Sequence, residues 1–309
     1  MRHGGGPVTI IDFFAGAGGS SLGAEAAGCH VVCAVNHWSR AVETLRHNRP
    51  GLEVREETLT RVHHLPDADG LLFSPECTHH SNAQGARKAD PVAERSRTTA
   101  WQVIRWIRKI RPRWFVVENV AEFQKWRMFP SWRRHLLSLG YQTSENILDS
   151  SRFGVPQRRL RWFTAGHRER PVRLPDGNGA PARTVRECID WSLPAEPLEG
   201  RRRPLVARRL EAIRKLRDAG HRDGLIVYYG SGPQWMHLDR PCRTVPTVDR
   251  FGLVTSDDRY RMLQPCELRR IMGFPAEYFL AGNRRERIKL LGNAVCPPVM
   301  QAIVQEVSA

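Results

Sequence analysis

Four groups of residues in the 309-residue chain carry side chains or spacing that could do chemistry. Near the N-terminus, Ala15-Gly16-Ala17-Gly18-Gly19 separates a β-branched and aromatic run at 8–14 from a helical stretch at 20–27. Strand, glycine turn and helix let backbone approach a ligand and aim free N–H groups at it, as nucleoside-bearing cofactors require; a turn built only for tight packing has the same pattern. The nicotinamide form would be G-x-G-x-x-G with an acid closing the second strand. Ser21 and Asn36 occupy those positions, which disfavours NAD. Cys77 follows Leu71-Leu72-Phe73-Ser74-Pro75-Glu76, so it stands at a strand exit, as a nucleophile or as a buried structural thiol. Glu118 follows the apolar run 114–117 and suits acid–base work or helix capping. Arg158, Arg159 and Arg161 form either a solvated charge run or a fork for a planar polar group.

The other cysteines do not make a framework. Cys29, Cys33, Cys188, Cys242, Cys266 and Cys296 are scattered, and with Cys77 the total is odd. Cys29-x3-Cys33 with His30 and His37 resembles half a zinc site, but residues 31–35 read as a buried strand and no second cysteine pair follows, so no metal is expected. The adjacent His79 and His80 read as part of a polar loop.

The elements that must hold these groups alternate. Strands are predicted at 8–14, 31–35, 71–73, 114–117 and 160–164, and helices at 20–27, 41–47, about 101–110 and 294–307. Trp101, Ile104, Ile107 and Ile110 recur at helical spacing. Such alternation predicts a mainly parallel sheet with helices on both faces. Beyond about residue 168 the texture changes. A Pro-, Gly- and Arg-rich stretch leads into Arg201-Arg202-Arg203, Arg208-Arg209, Arg214-Lys215 and Arg217, which marks a smaller, basic region.

Composition agrees with a globular protein. At 41% hydrophobic and 26% charged the chain is neither disordered, collagenous nor a coiled coil. No apolar run approaches the ~18 residues a membrane span needs. The N-terminus lacks a signal-peptide pattern, so a soluble cytoplasmic protein is expected. The net charge of +16 points to a polyanion such as nucleic acid, although 43 of the 48 basic residues are Arg, a skew that a GC-rich genome also produces.

Six motifs in chain order resemble those of the DNA cytosine-5 methyltransferases. They are Asp12-Phe13-Phe14-Ala15-Gly16-Ala17-Gly18-Gly19, Phe73-Ser74-Pro75-Glu76-Cys77, Glu118-Asn119-Val120, Gln157-Arg158-Arg159-Leu160-Arg161, Glu267 to Pro275, and Gly292-Asn293-Ala294-Val295. The match leaves out mainly 170–255, where the family carries its variable target-recognition domain. Asn36-His37, His79-His80 and the segment Arg243-Thr244-Val245 to Gly252 resemble a phage- or prophage-associated branch.

The resemblance implies a Rossmann-like S-adenosylmethionine-dependent α/β sheet with helices on both faces and a small target-recognition domain. Expected boundaries are 1–169 for the catalytic and cofactor-binding domain, 170–261 for the small domain, 262–284 for the hinge, and 285–309 for a returning C-terminal segment. It assigns catalysis to Cys77, Glu118, Arg159 and Arg161. The Cys77 thiolate would add to cytosine C6, a protonated Glu118 would bond the N3/N4 edge, and the two arginines would hold O2 and its surroundings. Such chemistry needs a flipped base. The resemblance places Phe14, Ala15, Gly16, Gly18, Asn36, His37, Thr58, Leu59, Ala100 and Asn293 around S-adenosylmethionine. The family usually has Glu at Asn36, an aromatic residue at His37, Asp near Thr58, Pro at Glu76 and Ser at Ala294.

Duplex DNA is the implied partner. Ser81, Gln84, Arg87, Lys88 and Arg97 follow the nucleophile, Arg201, Arg202 and Arg203 are expected on phosphates, and Thr244 completes the set. A monomer, associated with the nucleoid and with or without a cognate restriction enzyme, is expected. RNA cytosine methylation and silent nucleic-acid binding are the alternatives; an oxidoreductase would leave Cys77, Glu118 and the arginine motif unexplained.

Overall fold

The computed structural model describes residues 6–76, 91–200, 204–228 and 234–309, with side chains in the first long helix described from Thr99 onward. The first run of elements is β1 (Thr9–Phe13), α1 (Gly19–Ala26), β2 (His30–Asn36), α2 (Ser39–Asn48), β3 (Glu53–Glu56), β4 (Gly70–Phe73), α3 (Pro91–Ile110) and β5 (Trp114–Val120). It continues with α4 (Phe129–Leu137), β6 (Gln142–Asp149) and β7 (Leu160–His167). These strands form one seven-stranded sheet in the order β3-β2-β1-β4-β5-β7-β6.

The pairs from β3 to β5 are parallel, as the alternation predicts. β7 departs from that pattern: it runs antiparallel between β5 and β6. It also lengthens β5 beyond the apolar run, because Glu118, Asn119 and Val120 pair with Phe163, Trp162 and Arg161. Glu118 therefore lies inside a strand, where the sequence places it after one. β3 and β6, which the sequence does not signal, are short or polar edge strands with one partner each, so their side chains need not be apolar.

Apolar layers cover both faces of this sheet. One contains Phe13, Phe73, Trp106, Phe115, Phe123, Trp132 and Trp162 beneath α3 and α4. The opposite layer contains Ile10, Leu72, Val116, Phe163 and Ala165, and it extends to Ile303 and Val304 of α8 (Pro297–Ser308). Pro297 and Pro298 start α8 where the missing N–H groups cost nothing. Cys29 and Cys33 are buried in these two different layers.

The second sheet comprises β8 (Glu196–Pro197), β9 (Gly224–Val227), β10 (Gln234–Met236), β11 (Phe251–Val254) and β12 (Arg259–Met262). Its order is β10-β9-β11-β12-β8, antiparallel throughout. α5 (Ala207–Asp218) packs Ala212, Ile213 and Leu216 against Ile226, Val254 and Tyr260 on one face. On the other face, Leu225, Val227, Phe251 and Leu253 join the layer that contains α8. α6 (Pro265–Ile271) and α7 (Arg284–Asn293) lead back to the large sheet. Each begins with a capping box, Gln264 with Glu267 and Asn283 with Glu286.

Candidate active site

Two adjoining cavities open where β1, β2, β4 and β5 end. One, about 290 Å³, is lined by Phe14, Gly16, Asn36, His37, Trp38, Ser74, Pro75, Glu76, Glu118, Asn119, Val120, Arg159, Arg161, Lys289, Leu290, Gly292 and Asn293. The other, about 550 Å³, is lined by Phe14, Val35, Asn36, His37, Glu57, Thr58, Leu59, Thr60, Glu76, Thr99 and Gln102. Phe14, Asn36, His37 and Glu76 belong to both. A larger groove of about 810 Å³ runs beside β6 and contains none of these groups.

Glu118 is 7% exposed, and Arg161 Nε lies 3.2 Å from its Oε1. The two are diagonal neighbours across β5 and β7, since Arg161 pairs with Val120 and Glu118 with Phe163. Burial pushes the Glu118 carboxyl above its ordinary range, against the pull of Arg161 and then Arg159. Asn119 Nδ2 donates to the Pro75 carbonyl at 3.3 Å, which ties the end of β5 to the loop leaving β4. That loop leads through Glu76 to Cys77.

Arg159 lines the same cavity as Glu118 and Arg161. Its Nη atoms donate to Val245 O (3.2 Å), Gly292 O (2.8 Å) and Ala294 O (3.1 Å). These hydrogen bonds also fasten the chain segments around it. Gln157 fastens the same region, its Oε1 accepting from Val245 N at 2.8 Å. Thr244 Oγ1 donates to the Arg158 carbonyl at 3.2 Å. The 242–245 segment is thus laced to the arginine motif.

The glycine turn serves two purposes. Gly16 (φ +53°) and Phe14 (φ +59°) hold left-handed backbone at the cavity wall, a strained conformation for Phe. Gly18 does not line either cavity. A Cβ there would lie 2.7 Å from Tyr278 Oη and 2.7 Å from Leu45 Cδ2. Tyr278 needs that space because its hydroxyl donates to the Ala17 carbonyl at 2.6 Å. Below the turn, Ser21 Oγ donates to Asp12 Oδ2 at 2.6 Å, which accounts for the hydroxyl where a dinucleotide fingerprint has glycine. Asp12 is fully buried, and burial raises its pKa to about 7.

Two further cofactor candidates are set back from the cavities. Ala15 packs against Val42 and Leu45. Ala100 is buried, its carbonyl accepting from Trp132 Nε1 at 2.8 Å; Thr99 and Gln102, from the same helix, reach the wall instead. Asn36 Oδ1 accepts from Trp38 N at 2.9 Å. His37 Nε2 lies 3.6 Å from Glu76 Oε1, so two departures from the family pattern face each other. Cys77, Ser81, Gln84, Arg87, Lys88, Arg201, Arg202 and Arg203 lie outside the described residues; Arg97 falls on α3, its side chain likewise outside them. Trp38 and Lys289 are lining residues that sequence reasoning did not select. Their available signals were adjacency to a motif and, for Lys289, being one of five lysines in an arginine-dominated chain.

An open, mainly parallel sheet with an antiparallel β7, glycine turn after β1 and a cavity at the strand ends defines a Rossmann-like methyltransferase. The chain belongs to the C-5 cytosine-specific DNA methylase family, whose model matches residues 8–190 and 208–309. It is accordingly a DNA cytosine-5 methyltransferase, and S-adenosylmethionine is the methyl donor that family and fold imply.

The chain is 26% identical over 303 residues to the Type II methyltransferase M.HindV of Haemophilus influenzae, covering 93% of this chain and 92% of the relative. It is 26% identical over 314 residues to M.NlaX of Neisseria lactamica, covering 97% and 96%. The fold is similar to a crystal structure described as a prophage-encoded DNA modification methyltransferase (E. coli), with TM-score 0.71, 19% identity, and 97% and 98% of the two chains covered. It is also similar to Spodoptera frugiperda DNMT2, with TM-score 0.69, 17% identity, and 98% and 100% covered.

Proposed function

We propose that the paired cavities hold S-adenosylmethionine beside an extruded cytosine, and that Cys77 is the nucleophile. The observation that carries this is one continuous wall. Phe14 and Gly16 of the turn, Pro75 and Glu76 before the thiol, and the Glu118–Arg161 pair all line the 290 Å³ cavity. The larger cavity suits the adenosine end: Phe14 and Leu59 offer apolar surface, while Asn36, Glu57 and Thr58 offer polar groups for ribose hydroxyls. When bound, the cofactor supplies an electrophilic methyl group to which the activated C5 is directed.

The chain's own groups do the rest. The Cys77 sulfur forms a bond to C6, and the ring electrons move so that C5 becomes enamine-like. Glu118, whose carboxyl burial pushes above its ordinary range, in its protonated form donates to N3 and spreads the developing charge. Arg161 has a planar fork within reach of both Glu118 and the base. After C5 carries the methyl, its proton passes to solvent water, the C–H electron pair restores the C5–C6 double bond, the C6–S bond breaks with its pair returning to sulfur, and N3 gives its proton back to Glu118. Glu76, the residue before Cys77 in the chain, has its Oε1 3.6 Å from His37 Nε2.

DNA is held by the second sheet and by the segment after Cys77, with Ser81, Gln84, Arg87, Lys88, Arg97, Arg201, Arg202, Arg203 and Thr244 as contacts. The division at 169/170, 261/262 and 284/285 belongs to this reading. So do a monomeric, cytoplasmic and nucleoid-associated enzyme and a cognate restriction partner, for which the Type II relatives are the support. Among the described residues no helix is long and apolar enough to cross a membrane.

The test is incubation with labelled S-adenosylmethionine and either mixed-sequence duplex DNA or tRNA, together with trapping on 5-fluorocytosine DNA. Label on C5 of DNA cytosine and a covalent complex, both lost in Cys77→Ala, are expected. Label on tRNA alone would favour the RNA reading. A Cys77→Ala variant as active as the wild type would defeat the proposed nucleophile.

A further inference from the structure

The basic side chains around the 290 Å³ cavity are mostly engaged. Arg159 bonds three carbonyls, Arg161 pairs with Glu118, and His37 faces Glu76. Lys289 differs: its ammonium makes no ion pair or hydrogen bond with another described residue. It stands 4.8 Å from the centroid of the Trp38 ring. A ring face attracts an ammonium but leaves its charge in place and its three donors unused.

The platform beneath this cation is firm. Lys289 lies on α7, whose start is fixed by the Asn283–Glu286 capping box and by Arg284 on Asp249 Oδ2 at 3.0 and 2.6 Å. Trp38 is fixed at the exit of β2, its N–H held by Asn36 Oδ1 at 2.9 Å. The cavity wall thus presents an exposed ammonium seated on Trp38, with no acidic partner among the described residues, in the same lining as Gly16, Gly292 and Asn293.

We infer that Lys289 binds the carboxylate at the methionyl end of the cofactor. This rests on reading the cavity as the S-adenosylmethionine site. That end of the ligand carries a carboxylate at neutral pH, and an ammonium that pairs with no acid among the described residues can give it a charge-assisted hydrogen bond. A DNA phosphate is the rival anion. Trp38 argues for the cofactor, because the ring that seats the ammonium follows Asn36 and His37, residues shared with the larger, ribose-accepting cavity.

The experiment is calorimetric titration of the full chain with S-adenosylhomocysteine and with its decarboxylated analogue, S-adenosyl-3-thiopropylamine, which lacks only the carboxylate. The wild type is expected to prefer S-adenosylhomocysteine by about tenfold. Lys289→Met should lose that preference by weakening S-adenosylhomocysteine alone, and Lys289→Arg should keep most of it. Equal weakening of both ligands by Lys289→Met, or none, would overturn the assignment. So would wild-type protein that binds both equally, or a Lys289→Met variant that loses only DNA affinity. Wild-type protein that binds neither ligand would remove the cofactor reading itself, a distinguishable failure.

Discussion

In the large sheet, Asp12 on β1 and Glu118 on β5 are buried acids with few donors. Asp12 accepts from Ser21, its Oδ1 has no partner among the described residues, and burial lifts its pKa to about 7. Glu118 has Arg161 beside it, and its pKa also rises. Glu267, in the first turn of α6, is equally buried but surrounded by donors. It accepts from Arg261 Nη1 and Nη2 at 2.7 and 2.8 Å, from Gln264 N at 2.7 Å and from Asp190 N at 2.9 Å. A buried carboxylate with every lone pair used is a fastening; one given fewer donors has its pKa raised by burial, as Asp12 and Glu118 do. Of the three acids, Glu118 is the one that lines the cavity.

Four experiments bear on that contrast. Glu118→Gln keeps the shape but not the acid, and it should slow methyl transfer by roughly 10²–10³-fold, the usual cost of one preorganised charge-stabilising donor, with the melting temperature little changed. Single-turnover transfer and calorimetry on the same sample check both halves. Arg261→Met leaves the buried Glu267 without its main partner. A loss of about 3–5 kcal/mol in denaturant unfolding is expected, and a much smaller loss would mean the acid is less dependent on its donors than its geometry suggests.

Asp12→Asn tests the under-served acid directly. In the native state Asp12 stays protonated up to about pH 7, whereas in the unfolded chain it ionises near its ordinary value of 3.8. The native state therefore binds the extra proton between these values, and stability from this group falls as pH rises from about 4 to 7. The difference between wild type and Asp12→Asn should shift by up to about 4 kcal/mol across that window, in the direction of relative wild-type loss at the higher pH. A flat difference would mean that the buried carboxyl is ionised throughout. The smallest effect belongs to the small sheet's outer helix. Arg214 is exposed on α5, and Arg214→Ala should weaken binding to all duplexes alike, reducing the slope of log K against log salt by about 0.9.

Much of the site was legible in the chain because motif spacing at strand ends survives without coordinates. Phe14, Gly16, Asn36, His37, Thr58, Leu59, Glu118, Arg161 and Asn293 all reach the cavities. Ala15, Gly18 and Ala100 do not, since a residue inside a matching motif can as easily serve packing: Gly18 makes room for Tyr278, and Ala100 lies under Trp132. Arg159 and Arg161 are two residues apart in one motif, yet one fastens carbonyls and the other faces Glu118. The polar edge strands β3 and β6 carried no hydrophobic period to read.

The order and type of residues alone determined the alternating sheet, the glycine turn and the family, because each is local in sequence. Only the tertiary structure decided that β7 runs antiparallel and extends β5 past Glu118, that Arg159 ties residues 245, 292 and 294 together, and that Lys289 comes to rest over Trp38. Those outcomes depend on contacts between segments far apart in the chain, whose burial and donor supply no local pattern encodes.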